Sequence, residues 1–225
     1  MKLTRRGLLA AGLAIGGAAC SPKSPSSTVA AYPSAAAEPL VETAQGKLRG
    51  KLAANGVSMF KGMRYGASTA GANRFMPPQA PPTWTGVADA FEYGDQCPQA
   101  AGRLADSRVA MSDDCLRINV FTPATDGAKR PVLLWFHGGG FESGVGSQPL
   151  YEGSRLAKRG DVVVATINHR LNVYGHCYLG GALGDEFAQS GNVGYLDLVA
   201  SMKWVKENIE RFGGDPKRVL VFGQS

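Results

Sequence analysis

The sequence lacks the runs of lysine or arginine interleaved with aromatic rings that grip a single-stranded nucleic acid. Its formal net charge of +6 does not restore that reading once it is placed along the chain. Residues 1–37 hold Lys2, Arg5, Arg6 and Lys23 and no acid, which leaves 20 basic against 18 acidic groups, or +2, for residues 38–225. A balance so even offers no basic face to a polyanion. The N-terminal apolar run, Gly7 to Ala19, has 13 residues, fewer than the roughly 20 needed to span a bilayer. No internal repeat is present, which excludes solenoids and propellers. With 44% hydrophobic and only 19% charged residues, the 225-residue chain is not disordered; it fits one globular domain plus something small.

What is present begins with an export segment at residues 1–20. Lys2, Arg5 and Arg6 precede the apolar run, and small residues follow at Ala18 and Ala19. Thr4-Arg5-Arg6-Gly7-Leu8-Leu9 has the form of a twin-arginine signal, which exports proteins already folded; an ordinary secretory signal with two chance arginines is the alternative. Cys20 directly follows Gly17-Ala18-Ala19, as the lipid-modified cysteine of bacterial lipoproteins does, although Gly17 stands where leucine is usual. Residues 21–37 are rich in Ser, Ala and Pro and without periodicity, a tether or leader, and Ala35-Ala36-Ala37 offers a second cleavage site. The expected location is therefore periplasmic, extracellular or lipid-anchored at a bacterial envelope, with any membrane contact made through Cys20.

Cysteine is scarce, with four in the chain. Cys97 and Cys115 enclose 17 residues rich in Ala, Arg, Asp and Ser. In an oxidising compartment their pairing would stabilise the fold by about 3 kcal/mol in the chain-entropy treatment, and Cys177 would stay a free thiol. Three reduced thiols are the alternative.

From Leu40 onward, short β-like runs give way to alternating strands and helices. Val41–Gly50 and Val57–Met63, punctuated by Gly46, Gly50 and Asn55-Gly56, predict a small antiparallel sheet. The segment Met76-Pro77-Pro78-Gln79-Ala80-Pro81-Pro82 must be a surface loop. Leu116–Thr122, Val132–Phe136 and Asp161–Ile167 read as strands, and Tyr151–Lys158 as a short helix. A longer helix is predicted over Tyr195–Phe212, with Leu198, Met202, Val205, Ile209 and Phe212 on its buried face and Gly213-Gly214 as its stop. Arg218–Phe222 reads as a buried strand ending in Gly223-Gln224-Ser225. The fold class is α/β: a small antiparallel sheet leading into a mostly parallel central sheet with crossover helices.

Two features carry chemistry. Phe136-His137-Gly138-Gly139-Gly140-Phe141 follows a strand, and its glycines leave backbone N–H groups free to face an anion, as an oxyanion hole requires. A flexible turn is the plain alternative; a phosphate loop is not, because no Gly-Lys-Ser or Gly-Lys-Thr follows. The second feature, Gly223-Gln224-Ser225, is the first half of a Gly-x-Ser-x-Gly nucleophile elbow, in which a serine sits on a strained turn after a strand. Nothing in the sequence calls for a metal or another cofactor.

From about Glu38 to Ser225 the chain resembles the N-terminal portion of the type-B carboxylesterases, the group that includes the cholinesterases. The matching segments are Phe60-Lys61-Gly62, Asn73–Pro78, Trp84–Val87, Cys97-Pro98-Gln99, Ser112–Leu116, Phe136–Phe141, Asn168–Leu171, Gly191–Gly194 and Asn208–Pro216, in the family's order. The resemblance implies an α/β-hydrolase fold and hydrolysis of a small-molecule carboxylic ester through an acyl-enzyme. It makes Ser225 the nucleophile and Gly139 and Gly140 oxyanion donors, and it pairs Cys97 with Cys115. It further implies two buried structural ion pairs, Arg74 with Asp113 and Arg170 with Asp197. Gln224 departs from the family's frequent Glu, Arg64 from a common Pro, and His169 and His176 from frequent aromatics. These histidines, with His137, are read as packing residues and not as the catalytic base. In this fold the acid and the histidine follow the serine, so both are expected beyond residue 225. The 225-residue chain alone is accordingly expected to be inactive and poorly soluble. A binding or adhesion module of the same fold, or a lipase or esterase of another HGGG-bearing α/β-hydrolase family, are the competing readings. The serine at 225 speaks against the first, and the Ser112–Leu116 and Asn208–Pro216 segments against the second.

The export reading is tested by changing Arg5 and Arg6 together to lysine. A twin-arginine route predicts that the precursor stays in the cytoplasm on cell fractionation, whereas a general secretory route tolerates the exchange.

Overall fold

The computed structural model describes residues 37–224 except Ala101 and Arg103; the export segment, Cys20 and Ser225 lie outside the described residues. Nine strands among the described residues fall into two sheets. β1 (Leu40–Glu42) and β2 (Lys47–Arg49) pair antiparallel across a turn closed by Thr43 N–H to Gly46 O at 3.0 Å, burying Val41 and Leu48. The larger sheet begins with β3 (Lys51–Leu52) and β4 (Ser58–Arg64). β5 (Val87–Asp89) then returns to the small sheet, parallel to β2.

The expectation that Val57–Met63 joins the small sheet is therefore corrected. β4 instead pairs antiparallel with β6 (Arg117–Thr122), because Phe60 and Met63 need an extensive core, which three-residue strands cannot supply. Phe60 finds it edge-on to Phe212, with ring centroids 5.0 Å apart.

With β7 (Arg130–Phe136), β8 (Val163–Ile167) and β9 (Gly214–Gly223), the large sheet runs in the order β3-β4-β6-β8-β7-β9. It is antiparallel from β3 to β8, and only β8, β7 and β9 are parallel, a smaller share than the sequence suggested. β8 is buried throughout, and its period of two sorts its side chains between two cores. Val163, Ala165 and Ile167 pack with Trp204, Val205, Ile209 and Phe212; Val164 packs with Phe121 and Ala157, the last from helix α1 (Ser154–Gly160) on the opposite face.

Two short helices, α2 (Asn172–His176) and α3 (Gly180–Leu183), precede α4 (Val193–Asn208), which runs on into a 3-10 turn at Ile209–Phe212. Gly213, in the left-handed region at φ 79°, stops it with an N–H bond to Glu210 O. The buried face of α4 differs from the predicted apolar stripe: Met202 is exposed, whereas Asp197, Ser201, Trp204, Val205 and Asn208 are buried. Counting only apolar residues misplaces the face, because its polar members are all satisfied. Ser201 Oγ donates to Leu198 O at 2.7 Å, and Asn208 Oδ1 accepts from Ala44 N–H at 2.9 Å.

A second correction concerns Arg218–Phe222. β9 is an edge strand bonded to β7 alone among the described strands, with Leu220 and Val221 exposed.

Of the two expected buried ion pairs, one is buried. Arg170 grips Asp197 in a fork, Nε to Oδ2 at 2.9 Å and Nη2 to Oδ1 at 2.8 Å, while the Arg170 backbone N–H reaches Oδ2 at 3.0 Å. Arg170 Nη1 also donates to Met76 O at 2.8 Å, pinning the Pro-rich loop. Burial pushes the Asp197 carboxyl above its ordinary value, and the Arg170 donors oppose that shift. The other pair, Arg74 Nη2 to Asp113 Oδ2 at 2.5 Å, is formed, but Arg74 is 46% exposed, so it belongs to the surface. The reason is local: Arg74 follows the 3-10 turn at Gly71–Asn73, which has no buried residue. Arg64, the departure from proline, bonds Asp114, which it shares with Arg117.

Removing one partner of the buried pair, by Arg170→Met or Asp197→Leu, is expected to cost about 3–5 kcal/mol in urea unfolding, with the double variant recovering part of it. A loss below about 1 kcal/mol for each single variant would show that the pair is solvated.

Candidate active site

β7 and β9 are parallel neighbours in a register that puts Phe136 opposite Gly223, and Gln224 N–H donates to Phe136 O at 3.3 Å. The glycine-rich loop thus leaves the sheet beside the point at which β9 runs out toward residue 225. This approach is close enough that a Cβ on Gly223 would lie 2.7 Å from Phe136 O, so glycine is required there. The loop and the strand end share a cavity of about 430 Å³ lined by His137, Gly138, Gly140, Phe141, Gly223 and Gln224 among others.

The loop is wound tightly. Gly139 O accepts from Glu142 N–H at 3.0 Å and Ser143 N–H at 3.2 Å. At φ 125°, with Ser143 O only 2.1 Å from where a Cβ would stand, position 139 admits glycine alone. Among the described residues, no acceptor takes the N–H groups of Gly139 and Gly140, so both remain available to an anion. The far end of the loop is fastened by Gln99, which exchanges bonds of 2.7 and 2.9 Å with the Gly144 backbone, and by Asn168 Oδ1, which accepts from Gly146 N–H at 2.8 Å.

Beneath the loop lie the chain's three histidines. His137 and His169 stack with centroids 4.6 Å apart and an interplanar angle of 12°, both buried. Burial lowers the pKa of His137 to about 3, with the neighbouring His169 adding to the shift, and lowers that of His169 to about 4. His176 is also lowered, mainly by burial, and its Nε2 has no partner among the described residues. These rings pack as neutral groups; none is poised to take a proton at neutral pH.

Cys97 and Cys115 are buried neighbours, with both sulfurs as thiols. The hydrogen bond with Cys97 and then burial push the Cys115 thiol well up, and Cys97 Sγ also accepts from Leu171 N–H at 3.2 Å.

A profile of the carboxylesterase family matches residues 37–225. The chain belongs to the carboxylesterase family. It is 45% identical over 189 residues to the para-nitrobenzyl esterase of Bacillus subtilis (strain 168), covering 83% of this chain and 38% of that protein. It is 40% identical to the pyrethroid hydrolase Ces2e of Rattus norvegicus, over 84% of this chain and 35% of the relative. The structure of the Geobacillus stearothermophilus carboxylesterase EST55 superposes with a TM-score of 0.77 at 48% identity, covering 82% of this chain and 37% of that one. The α/β-hydrolase fold is thereby assigned to the described residues, and the chain spans a little over a third of the relatives it matches.

Within this carboxylesterase-family site, the sequence pointed to Gly139 and Gly140 but not to their supports. Gln99, Asn168 and Asn172 were legible only as members of motif segments or their neighbours. Tyr151, whose Oη donates to Gln224 Oε1 at 2.9 Å, was legible only as the first residue of a predicted short helix.

The histidines also give the site an acid sensitivity whose sign is fixed. Their folded values lie below the roughly 6.5 of an unfolded chain, so the unfolded state takes up protons first as pH falls. Stability is full above about pH 6.5 and declines by about 1.4 kcal/mol per pH unit for each histidine, down to about 4 for His169 and about 3 for His137. Urea midpoints measured from pH 7 to 4.5 are expected to fall less steeply in His169→Phe; an unchanged slope would assign the acid sensitivity elsewhere.

Proposed function

We propose that the protein containing this chain is a serine carboxylesterase that hydrolyses a small-molecule carboxylic ester. The observation that carries the reading is the 136–223 register, which starts the glycine-rich loop and ends the strand leading to Ser225 side by side. In this mechanism Ser225 Oγ attacks the ester carbonyl while a histidine takes its proton. The N–H groups of Gly139 and Gly140 hold the oxyanion of the tetrahedral intermediate. Collapse releases the alcohol, which receives the proton, and water then hydrolyses the acyl-enzyme.

The histidine and its acid partner come from sequence beyond residue 225. The three histidines in hand are held in the packing beneath the loop, and the order serine, acid, histidine is that of the fold. The neutral Gln224 beside the nucleophile removes a negative charge that would favour cationic substrates. Residues 1–20 direct export, and in an oxidising compartment the adjacent Cys97 and Cys115 close a disulfide. Support for ester hydrolysis also comes from the relatives, which are named as esterases and hydrolases.

With p-nitrophenyl acetate, the full-length protein is expected to turn over and Ser225→Ala to lose about a millionfold in kcat. The 225-residue chain alone is expected to stay at background, since a serine without its base is a poor nucleophile. A p-nitrophenol burst from that chain, abolished by Ser225→Ala, would refute the placement of the base.

A further inference from the structure

The segment that follows β7 is fastened at both ends beside the end of β9. At its start, Phe136 O accepts from Gln224 N–H at 3.3 Å. At its far end, the 3-10 turn at Pro149–Tyr151 brings Tyr151 Oη to Gln224 Oε1 at 2.9 Å. Gln224, the residue bonded to Ser225, is thus held through its backbone by one end of the segment and through its side chain by the other. The backbone bond is long, so the side-chain bond is the firmer of the two.

The tyrosine ring has a fixed seat. Its centroid lies 5.0 Å from that of Trp135, which in turn meets the ring of Phe222 edge-on at 4.9 Å. Trp135 and Phe222 are register partners on β7 and β9, so the trio is built on the sheet itself. Trp135 Nε1 has no acceptor among the described residues, so ring packing sets this platform. Pro149 opens the turn with a fixed φ, and Tyr151 N–H donates to Gln148 O at 2.8 Å. Burial raises the Tyr151 phenol above its ordinary value, which keeps the hydroxyl protonated as a donor. A cavity of about 240 Å³ opens beside Trp135, Tyr151, Phe222 and Gln224, and the bond to Gln224 is itself exposed. Such a bond adds little to stability; its effect is on direction.

Resting on the esterase reading above, we propose that Tyr151 is a positioning residue for the nucleophile: by donating to the Gln224 side chain it fixes the peptide that carries Ser225. Attack requires Oγ to be held in line with the ester carbonyl carbon, and rotation of the preceding residue moves Oγ off that line. No proton passes along the bond. Its part is to hold geometry before the attack. The amide at 224 also acquires a meaning: it keeps an acceptor for Tyr151 while removing the charge that a carboxylate would place beside the nucleophile.

The experiment uses the full-length protein with p-nitrophenyl acetate and, to read the nucleophile alone, the rate at which a p-nitrophenyl phosphonate modifies Ser225. Tyr151→Phe keeps the ring and removes only the hydroxyl. It is expected to slow phosphonylation and lower kcat by about tenfold, with KM within about twofold and the melting temperature nearly unchanged. Gln224→Met is expected to give a similar loss, and adding Tyr151→Phe to it less than about a further twofold, because both changes break one bond. Gln224→Glu, which still accepts from the tyrosine, is expected to keep the Tyr151→Phe penalty. Should Tyr151→Phe not fold, Gln224→Met tests the same bond from its other partner. Unchanged phosphonylation in Tyr151→Phe, or an equal loss from that change with and without Gln224→Met, would overturn the proposal and leave the esterase reading standing. A wild-type protein without turnover on any ester would remove the esterase reading and this inference together.

Discussion

The site depends on a buried charge. Arg170, the largest of the fully buried side chains, is held by three N–H contacts to Asp197, so the segment leaving β8 is fixed to α4 in the buried interior. The consequences of that anchor are geometric. Asn168 and Asn172, two residues to either side, each reach the 95–98 segment, through Asp95 O at 3.0 Å and Pro98 O at 2.9 Å, and each reaches the glycine-rich loop as well. Tyr65 Oη closes the arrangement on Asn168 O at 2.5 Å. Five consecutive residues therefore tie the sheet, the long helix, the Pro-rich loop and the glycine-rich loop into one unit. A hydrophobic residue at 170 would pack as well, but it would not define the register of so many partners.

Around this unit the glycine-rich loop is shaped by what its backbone cannot avoid. Gly139 is forced by contact with Ser143 O, and the turn it makes consumes its own carbonyl while leaving amide N–H groups without acceptors among the described residues. Unpaired donors are costly in a protein interior, and an active site is a place where that cost serves a purpose. The stacked, neutral histidines below provide a buried floor without a competing charge. In the proposed mechanism such a floor keeps the local dielectric low, so that the donors would act strongly on an oxyanion.

How far the sequence revealed this differs from element to element. Strands with β-branched runs, such as Val163–Ile167, were legible because burial on both faces leaves a continuous apolar signature. The loop glycines were legible because backbone chemistry demands them. The face of α4 was not, since Asp197, Ser201 and Asn208 are polar residues buried in a face that apolar periodicity does not mark, and Asp197 and Asn208 owe their burial to partners far away in sequence. The assignment of β4 to the large sheet was missed for a similar reason: pairing with β6 is set by the core beneath, not by the turn at Asn55-Gly56. Side-chain braces such as Gln99 to Gly144, and the left-handed Phe141 and Asn172, leave no mark in periodicity, because they are tertiary in origin.

If the protein is the esterase proposed, the Gly139 and Gly140 amides and the Ser225 hydroxyl face one reacting carbon. A crystal structure of the full-length protein after reaction with a p-nitrophenyl phosphonate, whose phosphoryl oxygen mimics the oxyanion, probes that geometry without intermediaries. Phosphorus is expected to be bonded to Ser225 Oγ, with the phosphoryl oxygen about 2.7–3.1 Å from both glycine nitrogens. A phosphonyl group on another residue, or one on Ser225 with its oxygen turned away from the loop, would contradict the shared site.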